Sequence, residues 1–462
     1  MFNNLSFGPL FKGIKTDLQV SKKNFKPFVL TIIIFILTSF IQSRLSGKES
    51  DPTNTQIKIE TESAEQIVRQ GKKLKSDEDS DNSLKAIPDL LRFQDEKKKP
   101  LFKFNIIEPL HRKWYEAYKY LDKKYHLQLG FAYTSLYQRA TTGLDGDEAA
   151  GGDFDFFGQW IINDKDSCHP FSIGFFTEMR SKFTKIPPSD LGDAIGSLWG
   201  TVSTFNQQRY SLIQLWAEYH IIRKKFGFRI GKIDLTDYFN LYTFINTNFF
   251  FLNSGLTTEL STPFPSNGLS ALLAYKPTKN SGILVAIADA NGDKTTLSFD
   301  TFFSLHEYFT VIEYVYKPEF SNLGKGNYNV MLWHSDARKR LAIPSGWGYA
   351  LSFEQEVGGG WLPFIRYGFS HGEIKRVRQS FSTGFGLLKP FSRDNDVYGF
   401  GVTWGEARDR KKRDQFVIET YYRLQLTPHI QISPDIEIFV NPTDNSEQSM
   451  IGVFGIRFRL DM

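Results

Sequence analysis

From Tyr125 onward the chain repeats one pattern. Short runs place apolar residues at every second position and are broken by Gly, Asn, Asp, Ser and Pro. Near the end, Met450, Gly452, Phe454, Ile456, Phe458 and Leu460 share one face, while Ile451, Val453, Gly455, Arg457 and Arg459 share the other. Ile430, Ile432, Ile436, Ile438 and Val440 oppose Gln431, Ser433, Asp435 and Glu437 in the same way. A period of two is the signature of β-strands with one greasy and one polar face, and no helix can use it.

Segmenting this region predicts strands near 125–138, 153–163, 170–180, 208–222, 226–234, 268–276, 281–290 and 307–318. Eight more follow near 325–335, 346–356, 360–371, 380–390, 395–405, 413–424, 429–441 and 448–460. Sixteen alternating strands fit a soluble sandwich or barrel, greasy inside, or a membrane barrel, greasy outside. Three features favour the second. The runs are long enough for a tilted strand to cross a bilayer. An even, closed barrel leaves no unpaired backbone in lipid. Rings such as Trp361, Tyr367, Tyr398, Trp404, Tyr421 and Tyr422 stand near segment ends, as interfacial girdles do. Composition agrees: 15% of residues are aromatic although only 41% are hydrophobic. The expected fold is therefore an all-β, transmembrane antiparallel barrel of about 16 strands (125–462), within a chain whose 462 residues would otherwise allow three domains.

The preceding residues read differently. Lys22, Lys23 and Lys26 flank an apolar run, Pro27 to Phe40, too short for a spanning helix but typical of a secretory signal. Residues 1–46 are expected to be a leader, cleaved around Ser43–Ser46. They also carry the whole net charge of +5, so the remainder is balanced and its basic pI is no nucleic-acid footprint. Residues 47–106 are charge-dense and nearly free of aromatics, as expected of a flexible linker. Leu110, Trp114, Tyr118 and Leu121 recur at helical spacing and predict a short periplasmic helix over 107–124.

Sixteen strands enclose an aqueous channel, so passage rather than chemistry is expected. The connections 139–152, 181–207 and 235–267 are the long ones. The last is too long for a hairpin turn and too aromatic for a solvated loop, so it is expected to pack inside the barrel and narrow it. Near it, the polar faces and flanks offer Trp160, Glu178, Arg180, Trp216, Glu218, Arg229, Lys232, Asp234 and Asp237 as the candidate constriction. Rings could stack on a solute's apolar face, and charges of both signs could hold hydroxyls. Alanine at Arg229 or Glu218 is expected to alter ion selectivity more than fold.

Enzyme signatures are missing: the sequence has no Gly-x-Ser-x-Gly, no P-loop and no His-Glu-x-x-His. A single cysteine, Cys168, excludes an internal disulfide and a cysteine-based zinc cluster. Asp289, Asn291, Gly292 and Asp293 resemble the start of a calcium loop, but its twelfth position is Asp300 rather than Glu, so a turn is expected. No cofactor and no metal are expected.

Five stretches resemble the OprB-type carbohydrate-selective porins. They are Arg229-Ile-Gly-Lys-Ile-Asp-Leu-Thr-Asp-Tyr-Phe-Asn with Phe250-Phe-Leu-Asn-Ser and Ile287-Ala-Asp-Ala-Asn-Gly-Asp293, then Asp396-Val-Tyr-Gly-Phe-Gly-Val-Thr-Trp-Gly, and the run from Glu419 to Pro442. The resemblance covers roughly 110–462. It implies a sixteen-stranded barrel in the outer membrane of a Gram-negative-type bacterium that admits sugars or small neutral solutes by facilitated diffusion, as a monomer or trimer. It also implies contact with the lipid bilayer and with the outer-membrane assembly machinery, which reads a terminal aromatic; here the nearest is Phe458, before Arg-Leu-Asp-Met462. No nucleic-acid partner is expected. A general or ion-selective pore, or a non-conducting sugar-binding or adhesion barrel, remains the alternative.

Overall fold

The computed structural model describes residues 100–102, 108–163, 169–221, 225–297 and 299–461. The expected leader and nearly all of the expected linker lie outside them. Helix α1 (Glu108–Tyr125) leads into β1 (Leu127–Ala140), β2 (Glu148–Ile161), β3 (Phe171–Lys182) and β4 (Gln208–Ile221). Then come β5 (Phe226–Ile233), β6 (Gly268–Thr278), β7 (Ser281–Asp289) and β8 (Tyr308–Tyr316). The second half holds β9 (Gly324–Ser335), β10 (Gly346–Gln355), β11 (Trp361–His371) and β12 (Val377–Leu388). It ends with β13 (Val397–Ala407), β14 (Gln415–Thr427), β15 (Ile430–Val440) and β16 (Met450–Asp461). A two-residue ladder at Glu319–Phe320 only decorates the β8–β9 hairpin.

Each strand pairs antiparallel with its neighbours in sequence. β1 also pairs with β16, from Ala132 opposite Asp461 to Ala140 opposite Val453, and this closes the barrel. Closure pairs every strand on both edges, the condition lipid imposes. The longest connections share one end of the barrel. Two-residue turns such as Lys279-Asn280 and Pro428-His429 lie at one end, and the connections after β3, β5 and β7 lie at the other.

The burial pattern is inverted relative to a soluble protein. Glu437 and Arg229 have 0% of their surface exposed, whereas Leu332 shows 55% and Ile365 51%. In β16, Ile451, Val453, Arg457 and Arg459 point inward while Phe454 and Ile456 point out. An apolar exterior around a charged interior is the pattern of a transmembrane barrel. Among the described residues no helix is long and apolar enough to cross a membrane.

One expected loop, 139–152, is half strand. Only 141–147 connects β1 to β2, because Gln138 pairs with Ala149 and Leu136 with Gly151. The small residues that read as a turn are small for another reason. A Cβ on Gly151 would meet the Pro188 ring at 3.1 Å, where the next long connection folds in.

Candidate pore constriction

Two connections enter the barrel: 183–207, which carries the short helix α2 (Pro188–Ala194), and 234–267, which carries the one-turn helix α3 (Ser254–Thr257). A loop inside a barrel takes its backbone polar groups away from bulk water, so they need partners. The wall supplies them. Glu313 on β8 accepts from the Asn240 amide at 2.6 Å, and Glu354 on β10 accepts from the Thr243 amide at 2.9 Å and its hydroxyl at 2.8 Å. Glu419 on β14 accepts from the amides of Leu252 (2.6 Å) and Asn253 (2.9 Å). From the other side, Arg366 on β11 donates to the Leu256 carbonyl at 2.9 Å, and Arg457 on β16 donates to Phe250 at 2.8 Å and to Thr247. Five wall acids and bases thus read the loop backbone almost end to end.

Apolar packing completes the fit. Tyr242, Phe244, Phe251 and Leu256 of the loop bury themselves against Leu362, Phe364, Val397 and Tyr421 of the wall. Glycines make the room: a Cβ on Gly386 would come within 1.9 Å of the Phe244 ring, and one on Gly401 within 2.8 Å of Leu256. Gly386→Val should therefore expel Phe244 from the wall. We expect increased protease cleavage within 234–267 in a barrel that still resists denaturation by detergent; unchanged cleavage would contradict this docking.

The 183–207 connection packs Leu191, Ile195, Leu198 and Trp199 against Val417, Phe439, Ile451 and Val453. The two loops meet at Asn253, which is fully buried. Its Oδ1 accepts from Trp199 Nε1 at 2.8 Å and from the Gly255 amide at 3.0 Å, and its Nδ2 donates to Glu437 at 2.6 Å. One side chain therefore joins both loops to β15.

The residues singled out from the sequence divide into groups. Trp216, Glu218 and Arg229 come together. Arg229 is bonded to Glu218 and to the Tyr238 hydroxyl, and its guanidinium lies 3.9 Å from the Trp216 ring centre and 4.9 Å from that of Tyr238. Because it has no exposed surface, it clamps the start of the loop rather than facing the open channel. Glu178 and Arg180 pair with each other, and Arg180 also reaches Asp153 at 3.2 Å and Asn206 at 2.9 Å. Asp234 caps the 3-10 turn Leu235–Asp237 through the Thr236 amide at 3.0 Å, and Asp237 accepts from Gln214 at 2.6 Å.

Two residues lie elsewhere. Trp160 stands on the outer wall, 49% exposed, because Asp153, Asp155, Phe157 and Gln159 take the inward positions of β2. Lys232 is buried at the rim, where its ammonium donates to the carbonyls of Lys294 (3.0 Å) and Thr296. Gly231 carries a φ of +148° just before it, and Lys232 sits in register with Leu215 and Leu269 rather than with inward residues. The anchors Glu419, Glu437 and Arg457 were absent from the sequence-based set. Their polar-face positions were visible, but nothing local marks a carboxylate as the partner of a loop two hundred residues away.

Burial, reinforced by the neighbouring Asp234 carboxylate, pushes the Asp237 carboxyl up from its ordinary 3.8 to about 7. A carboxyl raised in the folded state favours docking most fully below its ordinary value, and that contribution is lost as pH rises through about 7. We therefore expect segment 234–240 to exchange its amide hydrogens faster, relative to intrinsic rates, at about pH 8 than at about pH 5. Asp237→Asn should abolish the difference.

Between the anchors, Thr243 is exposed, and Asn246, Asn248 and Phe250 are half-buried. The loop surface left accessible thus offers hydroxyl and amide groups beside a ring. At Asp289 the calcium-like stretch is a turn, since its carboxylate accepts from the Asn291 amide at 2.8 Å.

Comparison with known proteins adds to this geometry. The model of the carbohydrate-selective porin OprB family matches residues 185–462. Porin AaxA of Chlamydia abortus is 24% identical over 214 residues, 45% of this chain and 47% of that protein. Porin AaxA of Chlamydia felis is 23% identical over 215 residues, 45% and 48% respectively. The chain thus spans about half the length of the curated relatives it matches. Among solved structures, a high-pH structure of Pseudomonas putida OprB aligns with a TM-score of 0.60 at 14% identity, covering 76% of this chain and 97% of that one. At that identity the likeness speaks for the fold.

Proposed function

Because the chain belongs to the OprB family of carbohydrate-selective porins, we propose that it is an outer-membrane pore passing sugars or similar small neutral solutes by facilitated diffusion. The observation that carries this reading is the pair of loops fixed inside a closed barrel. They narrow the lumen without a moving part, and the surface left accessible includes Thr243, Asn246, Asn248 and Phe250. Such groups exchange hydrogen bonds with hydroxyls and stack on a sugar ring. The wall charges are largely consumed by loop backbone and by one another, which suits a neutral solute better than an ion. Family and fold suggest a channel rather than an enzyme.

The test uses the full chain in liposomes and planar bilayers. Vesicles should swell in sugars up to a size limit and the bilayers should conduct. Conductance without sugar entry would favour a general ion pore. Neither, from a correctly folded barrel, would remove the pore and leave a binding or adhesion role.

A further inference from the structure

The geometry points to α1 as an interfacial anchor that binds the headgroups of anionic phospholipids. This rests on the membrane reading above, but not on what the pore passes. The helix lies against the outer wall. Trp114 meets Phe131 edge-on at 5.0 Å, and Phe131 points outward because its neighbour Ala132 is buried inside. At the helix C-terminus, the Tyr125 carbonyl accepts from the indole N–H of Trp160, itself on the outer wall, at 3.0 Å. At the other end His111 packs tilted against His429 of the β14–β15 turn, with ring centres 3.8 Å apart. The helix therefore follows the rim at the short-turn end, continuous with the lipid-facing surface.

Its remaining face has the chemistry of a headgroup layer. Tyr115, Tyr120 and Tyr125 are exposed, as large amphipathic rings are at membrane interfaces. Arg112, Lys113, Lys123 and Lys124 are exposed beside them; among the described side chains of the helix the acids are the exposed Glu116 and the half-buried Asp122. Lys124 donates to the Tyr120 hydroxyl at 2.7 Å, and Lys119 sits over the rings of Tyr115 and Tyr118 at 5.0 and 5.1 Å. These bases are thus held close to the rings. A basic, aromatic helix lying along an apolar wall is built to bind phosphate at the interface.

The full chain would be placed in nanodiscs of phosphatidylcholine, with or without phosphatidylglycerol. Amide exchange over α1 and the phosphatidylglycerol retained on the protein would be read by mass spectrometry. We expect slower exchange when phosphatidylglycerol is present, and roughly fivefold weaker retention for each basic residue removed from Arg112→Gln, Lys113→Gln, Lys123→Gln and Lys124→Gln. Unaltered heat resistance of the barrel would confirm that these variants fold. Equal protection in both lipids, undiminished retention in the quadruple variant, or protection by soluble cell-wall fragments instead of lipid would each overturn the proposal. Sugar flux is read separately, so a failed pore reading would not be mistaken for a failed anchor.

Discussion

Asn253→Leu should release both inward loops at once while leaving the barrel folded. The substitution keeps the backbone bond to Glu419 but removes the side-chain bonds to Glu437, Trp199 and Gly255. It leaves at least two buried polar groups, the Trp199 N–H and a Glu437 oxygen, short of a partner. At about 1–3 kcal/mol each, the local cost is about 2–6 kcal/mol. That is enough to undock a loop, yet it does not touch the strand ladder. Single-channel recordings should show a larger and noisier conductance, and the size limit for sugars should rise. Asn253→Asp should act in the same direction and more strongly, because it sets a third carboxylate beside Glu419 and Glu437, which already face each other across β14 and β15. A quiet channel of unchanged conductance in both variants would show that the loops are held independently of Asn253.

The second large effect is at Arg229. Alanine there strands the Glu218 carboxylate in a buried wall with His220 as its remaining side-chain partner, and leaves the Tyr238 hydroxyl only its long 3.4 Å bond to Gln214 among the side-chain bonds described. Breaking a buried pair from one side costs about 3–5 kcal/mol, whereas replacing both charges by neutral groups of similar volume is often nearly neutral. Arg229→Ala should therefore loosen segment 234–240 and raise channel noise, and adding Glu218→Gln should recover most of the loss. The burial of the pair favours a clamp over the expected tuning of ion selectivity, and we propose that role for it. If Arg229→Ala changed selectivity with no gain in noise or amide exchange, the clamp reading would fail.

The alternation of apolar and polar residues was enough to set out the barrel. Period two assigns each side chain a face, and a closed ladder is the only way such faces survive in lipid, so sixteen strands and their inward residues could be read directly. Even Arg457 and Arg459 fell on the correct side. Reading failed where periodicity is interrupted. Trp160 reads as an inward candidate from the sequence, yet it stands on the outer wall. Ala149 to Gly152 read as a loop because small residues signal turns, but they are strand, and Gly151 clears space for Pro188.

The site was legible only in part, for a related reason. The loop 235–267 announced itself by being too aromatic to stand in water. What holds it in place is contact between residues far apart in the chain: Asn240 with Glu313, Thr243 with Glu354, Leu252 with Glu419. Those partners are selected by the curvature of the closed wall, which brings β8, β10 and β14 around one loop. No local pattern encodes that distance. The sequence by itself determined a barrel with a charged interior and one loop too greasy to stay outside. Only the tertiary structure decided that those interior charges are spent on backbone amides and carbonyls of the loops, because burial demands that each of those groups find a partner.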